Sequence, residues 1–254
     1  MPGVTSPEEN TVEWPSITIL IVTYKRPSEV RGVIEALQDK LIYPGVLLWR
    51  LADDCTGDNY VPDILRDFPN LAFEYTITPK RSGWGINVNT GLRAAGPGYV
   101  FQIEDDQIAY RSIDLENGVF VMEHDHTVGL VRYDGIEGHR LMLFMDETPK
   151  VDNRRSHFLR IMRRKTKGLN AYSNRPHLKH PRFHGVYGGY PEGLSMGSTE
   201  EVFAHHILHQ PRGTPDLVAL ANGVQRAFQH VGTSRQLTDA DIGQRVEWEH
   251  GSPA

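Results

Sequence analysis

Six consecutive residues, Ile17-Thr18-Ile19-Leu20-Ile21-Val22, form a near-continuous β-branched run. Apolar side chains at odd and even positions alike leave no face for solvent. The run therefore reads as a strand buried on both sides, as in parallel sheets covered by helices. A helix beginning at Ser28 follows, with Val30, Val33, Ile34 and Leu37 on one face, broken by Tyr43-Pro44-Gly45. Residues 46–52 make a second apolar strand, 61–68 a short helix and 71–77 a third strand. Residues 87–95 suit a helix closed by Gly96-Pro97-Gly98, and 99–103 a fourth strand that stops at acids. This alternation predicts an α/β fold with a mixed, mainly parallel sheet flanked by helices. Beyond about residue 110 the pattern loosens to strands at 128–132 and 141–145 and helices at 156–167 and 199–209.

The 254 residues suffice for one domain, in which roughly 70–75% of the unfolded surface can be buried. We divide the chain into a flexible lead (1–15), a first half (16–110), a second half of the same domain (111–238) and a tail (239–254). With 39% hydrophobic and 23% charged residues, disorder, collagen and coiled-coil readings are excluded. No run approaches the ~18 apolar residues of a membrane span. The acidic, Pro-bearing start is unlike a secretory signal, and the single cysteine, Cys55, cannot form an internal disulfide. Together these favour a cytoplasmic compartment.

Charge is segregated. Residues 150–182 hold eleven Lys/Arg against one acid, Asp152, so the segment is +10 in a chain whose total is −5. Such a block suits a polyanionic partner, a nucleic acid or an anionic membrane surface. Arg154, Arg155, Arg163, Arg164, Lys165 and Lys167 are the candidate acceptor-binding residues. Tyr172, Phe183, Tyr187 and Tyr190 lie within or just beyond the block, the interleaving that single-stranded nucleic acid uses for stacking.

Ligands of open α/β sheets bind beyond the carboxyl ends of the strands. The first strand leads into Thr23-Tyr24-Lys25-Arg26-Pro27, the second into Asp53-Asp54-Cys55-Thr56-Gly57-Asp58 and the fourth into Glu104-Asp105-Asp106. In an extended segment Glu104 and Asp106 point to the same side. Carboxylate oxygens suit Mg²⁺ or Mn²⁺, which keeps positions for phosphate oxygens and would neutralise a departing diphosphate. No phosphate loop is present, and Gly83-Trp84-Gly85 has Val88 where a dinucleotide fingerprint needs its third glycine. A nucleotidyltransferase is disfavoured because Thr23 to Pro27 lacks glycine. A noncatalytic nucleic-acid-binding protein would explain the basic block but not the acids at the strand ends.

These residues resemble a family 2 glycosyltransferase of GT-A (Rossmann-like) fold. Four elements carry the resemblance over about residues 16–110. They are the Thr23-to-Pro27 turn, Asp53-Asp54-x-Thr56-x-Asp58, Asn89-x-Gly91-Leu92-x-x-Ala95, and the Asp-x-Asp-like Glu104-Asp105-Asp106. The family often has Arg just before that Asn; here it is Val88, so Lys80 or Arg81 would supply the cation. The resemblance implies transfer of a sugar from a nucleotide diphosphate sugar, a UDP-sugar such as UDP-glucose first, to an acceptor hydroxyl, with inversion. Thr23, Tyr24 and Arg26 would border the base, and Asp53 or Asp54 would meet the base or ribose. Arg81, Asn89 and Asp105 complete the donor set, and Glu104 with Asp106 would hold the metal. His230, in a His-x-Gly-x-Ser element, is the candidate third metal ligand. The family often places an acidic pair at a helix start as general base. Here Gly197-Ser198-Thr199-Glu200-Glu201 offers Glu201 or Glu200, with Ser198 or Thr199 as the N-cap. The helix dipole alone also favours acids in a first turn. The acceptor we expect is a hydroxymethylated base in DNA, as in viral DNA-modifying enzymes, reached by base flipping. The alternative acceptor is a lipid phosphate or surface polysaccharide.

Overall fold

The computed structural model describes residues 13–133, 145–147, 159–161, 172–210, 218–220 and 227–231. In chain order these are β1 (Ile17–Thr23), α1 (Pro27–Lys40), β2 (Leu41–Ile42), β3 (Leu47–Asp53), α2 (Tyr60–Arg66), β4 (Phe73–Ile77) and α3 (Trp84–Ala95). Next come β5 (Tyr99–Glu104), β6 (Gln107–Ala109), β7 (Ile113–Asp114), α4 (Leu115–His124), β8 (Leu130–Arg132), β9 (Met145–Glu147) and β10 (Leu159–Ile161). Last are β11 (His177–Lys179), α5 (Phe183–Tyr187), α6 (Met196–Leu208), β12 (Val218–Leu220) and β13 (Phe228–His230).

One nine-stranded sheet runs β4-β3-β1-β5-β11-β8-β12-β10-β9. Its first four strands are parallel, and β11 pairs antiparallel with both β5 and β8. Chain order reverses between β1 and β5, which makes the carboxyl ends of these two strands the topological switch point.

All seven residues of β1 are buried, so the run that opens the chain is covered on both faces. Ile17, Ile19 and Ile21 pack with Val30, Val33, Ile34 and Leu37 of α1, Val61 and Ile64 of α2, and Val119 and Met122 of α4. Leu20 and Val22 pack on the other face with Val88 of α3, Phe183 and Tyr187 of α5, and Phe203 and Ile207 of α6. Each large apolar side chain sealed this way contributes about 1.5–3 kcal/mol. Gly91 permits the closest approach of α3: a Cβ there would meet Leu20 Cδ1 at 2.7 Å and Ala52 Cβ at 2.9 Å.

Several expectations need correction. The aromatic residues assigned to base stacking are interior: Tyr172, Phe183, Tyr187 and Tyr190 are each at most 3% exposed and form the second core. Their hydrophobic area is spent on α5 and α6 rather than left for a ligand. The helix expected over 156–167 is a strand where it is described: β10 pairs with β9 and β12, and pairing overrides local propensity. The remainder of that segment, with Arg154, Arg155, Arg163, Arg164, Lys165 and Lys167, lies outside the described residues, as do 141–144 and 239–254. Helix α6 begins at Met196, and Ser195, not Ser198 or Thr199, is its N-cap, accepting from Ser198 N. Glu200 and Glu201 therefore stand in the second turn, where the helix dipole no longer accounts for them.

Candidate active site

The carboxyl ends of β1, β3 and β5 meet at one edge, and a hydrogen-bond lattice fixes them together. Asp105 Oδ2 accepts from Thr23 Oγ1 at 2.9 Å and from Tyr24 N at 3.1 Å. Its Oδ1 accepts from Arg26 at 3.0 Å, and the same guanidinium nitrogen donates to Asp106. Burial raises the pKa of Asp105 above the ordinary value, against the opposing pull of Tyr24 N–H, Arg26 and Thr23. Tyr60 ties the first turn down through Thr23 Oγ1 at 2.6 Å and Arg26 N at 3.2 Å. Asn87 of α3 donates to Thr23 O and Ala52 O, joining the ends of β1 and β3. Lys25 and Cys55 hold φ of 55° and 58° in the facing turns, a conformation that costs a side-chain-bearing residue energy and is common where a site over-determines the backbone.

The two acids after β3 work on their own loops. Asp53 accepts from Thr56 N at 2.8 Å and Thr56 Oγ1 at 2.5 Å. Asp54 accepts from Thr78 Oγ1, Ser82 N and Gly83 N, which anchors the entry to α3. Arg81 lies over the Tyr24 ring at 5.0 Å, and Lys25 over the same ring at 5.1 Å. Val88 is fully buried against the sheet. Asn89 turns away from this edge: it donates to Tyr190 O and Glu192 and accepts from Tyr190 N.

Strand β5 stops at Glu104, and Asp105-Asp106 form a turn into β6 rather than an extended continuation. Glu104 is nevertheless close enough to Asp106, Asp105 and Glu200 to feel their charges. Burial first, then those three carboxylates, push its pKa up to about 8. Glu104 Oε1 and Asp106 Oδ1 are both buried without a hydrogen-bond partner. Strand β13 pairs with β6 and brings His230 Nε2 to 3.1 Å from Asp106 Oδ2. Among the described residues no group of three or more His, Cys, Asp and Glu forms a ready cage for a metal. Asp106 Oδ1, Glu104 and the nearby His230 imidazole are the groups that could hold a hard cation here, whose remaining positions would suit phosphate oxygens.

The acidic pair of α6 is split. Glu200 turns inward, and its Oε1 accepts from Asn174 N at 2.9 Å. Glu201 is exposed, beside Val202, His205 and His209 on the outer face. Sequence reasoning missed Tyr60, Asn87 and Asn174. The signal for Asn87 was present, a polar residue on the apolar face of a helix; Tyr60 and Asn174 carried none. A cavity of about 660 Å³ lies at the opposite end of β5 between α3 and α5, away from the acids.

The mixed, mainly parallel sheet flanked by helices is that of the GT-A class of fold. The sequence model "Glycosyl transferase family 2" matches residues 18–180, and the chain belongs to that family. No curated protein matches it. Among solved structures it is similar to S. aureus TarS 1-349 in complex with UDP, at 12% identity and TM-score 0.60, over 84% of this chain and 59% of that one. It is similar to the mannosyltransferase PcManGT from Pyrobaculum calidifontis with GDP-Man and Mn²⁺, at 17% identity and TM-score 0.54, over 84% and 58%. It also resembles GalNAc-T7 with UDP, GalNAc and Mn²⁺, at 12% identity and TM-score 0.59, over 95% and 48%. The chain thus spans about half to three fifths of these proteins' lengths. No helix among the described residues is long and apolar enough to cross a membrane.

Proposed function

We propose that the chain transfers a hexosyl group from a nucleotide diphosphate sugar, UDP-linked first, to an acceptor hydroxyl with the aid of Mn²⁺ or Mg²⁺. The observation that carries the reading is the convergence at the switch point of Asp105, locked by Thr23, Tyr24 and Arg26, with Asp106 and Glu104, each holding an unbonded oxygen. Tyr24, with Arg81 and Lys25 against its ring, borders the base. Asp105 and the Asp53–Asp54 loops shape the ribose side. Asp106 and His230 hold the cation, which when bound supplies neutralisation of the departing diphosphate. Glu200, inward and within electrostatic reach of Glu104, takes the proton of the acceptor hydroxyl as its oxygen attacks the anomeric carbon; the bond to diphosphate breaks and configuration inverts. The complexes of TarS and GalNAc-T7 with UDP support a uridine donor.

The acceptor is a polyanion, on the strength of the +10 charge of residues 150–182. The test is nucleotide release from UDP- and GDP-sugars with Mn²⁺, with and without DNA bearing 5-hydroxymethylcytosine. DNA-dependent release, with the sugar found on DNA by mass spectrometry, establishes donor and acceptor together. Release that ignores DNA moves the acceptor to lipid phosphates and polysaccharides. Asp106→Asn abolishes release while nucleic-acid affinity survives; unchanged release overturns the metal site. No release from any donor leaves the noncatalytic nucleic-acid-binding reading.

A further inference from the structure

Around Glu104 and Glu200 the interior is polar but incompletely bonded. Asn174 is 4% exposed, and neither its Oδ1 nor its Nδ2 has a hydrogen-bond partner. Its backbone is fixed by the bond from its N–H to Glu200 Oε1 at 2.9 Å. Thr199, adjacent to Glu200 on α6, is fully buried with an unbonded Oγ1, and Glu104 Oε1 is in the same condition. Tyr172 and Tyr190 lie within electrostatic reach of both glutamates. Asn89 shows how a structural amide is used in this half: it donates twice and accepts once, all to residues 190–192. Asn174 spends neither end.

A sealed amide without partners is expensive, and an apolar side chain of similar size would be cheaper. Such a cost is characteristic of groups kept for a ligand rather than for the fold. An amide presents an acceptor and a donor side by side, the complement of two neighbouring hydroxyls on a hexose. We propose that Asn174 is a specificity-determining residue that hydrogen-bonds the hydroxyls of the transferred sugar, next to the carboxylate of Glu200. This rests on the glycosyl-transfer reading above, and it names the group that recognises the sugar rather than the nucleotide.

Calorimetric binding with Mn²⁺ tests it, comparing UDP with UDP-glucose and UDP-GlcNAc, and GDP with GDP-mannose, for the full chain and for Asn174→Ala and Asn174→Leu. The full chain binds one sugar nucleotide tighter than its nucleotide alone. Both variants keep the affinity for the free nucleotide and lose about tenfold or more of the sugar-dependent gain. The Tm of Asn174→Leu is equal to or above that of the unmodified chain, because the unbonded amide is gone. A sugar-dependent gain that persists in both variants, or that the unmodified chain lacks, overturns the inference and leaves donor turnover intact. Loss of nucleotide affinity together with a lower Tm in both variants assigns Asn174 to the fold instead. An unmodified chain that binds no nucleotide at all overturns the functional reading, and this inference with it.

Discussion

The guanidinium of Arg26 stands 3.0 Å from Asp105 Oδ1, and the same nitrogen bonds Asp106. One cation from the turn after β1 thus bridges both acids after β5. Its side chain is 20% exposed, so the pair is neither a screened surface bridge nor a sealed one. Arg26→Met leaves two buried carboxylates without their cation, though Asp105 keeps its bonds from Thr23 and Tyr24, and costs about 2 kcal/mol, between the values of exposed and buried pairs. A divalent cation then supplies the missing charge. The rise in Tm on adding Mn²⁺ is larger in Arg26→Met than in the unmodified chain, as thermal unfolding with and without the metal will measure.

Glu104 gives stability a pH dependence of defined sign. Burial and the charges of Asp106, Asp105 and Glu200 raise its pKa from 4.5 to about 8, so over that window the folded state holds a proton that the unfolded chain has lost. This contribution is fully present below 4.5, declines as pH rises toward about 8 and is constant above it. Lys179 is fully buried with its pKa lowered by desolvation and acts in the opposite sense, so the total curve mixes the two. The difference between the unmodified chain and Glu104→Gln isolates the carboxylate. The variant gains in relative stability as pH rises through this window; parallel Tm curves would refute the shift.

Much of the parallel half of the sheet was legible because its information is local. The Ile17-to-Val22 run, the α1 face and the acids at the strand ends each declare themselves within a few residues. Where two turns meet was less legible. That Tyr60 holds Thr23 and that Asp54 holds Ser82 and Gly83 depends on contacts 28 to 37 residues apart. The second half was read less well for the same reason. The edge of β10 is defined by β9 and β12 rather than by its own sequence. Tyr172 and Tyr190 are equally consistent with a stacking surface and a core until α6 lies over them. The acidic pair at Glu200-Glu201 was implied by the family resemblance and an expected helix start, but which member faces inward depends on a helix start at Met196, three residues earlier than the Thr199 boundary read from the sequence.

Gly91 tests the packing that brings α3 onto the strands carrying the site. An added methyl there would meet Leu20 Cδ1 and Ala52 Cβ inside contact distance. Alanine's better helix propensity returns up to about 1 kcal/mol. Overpacking typically costs about 1–3 kcal/mol, and Ala52 belongs to a rigid central strand that yields little. Gly91→Ala therefore lowers stability by about 1 kcal/mol in urea unfolding, with the m-value unchanged.

Glu200 and Glu201 share one helix turn, yet only Glu200 approaches Glu104 and the Asn174 backbone. General-base catalysis contributes typically about 10²–10⁴-fold. Glu200→Gln keeps the shape and the acceptor oxygen for Asn174 N–H but cannot take a proton. Its kcat with acceptor falls by about 10²–10⁴-fold while the KM for donor stays within about threefold. Glu201→Gln, on the exposed face, leaves kcat unchanged. Steady-state kinetics on both variants with the same donor and acceptor decides the assignment: a loss confined to Glu201→Gln would require α6 to present its outer face to the acceptor.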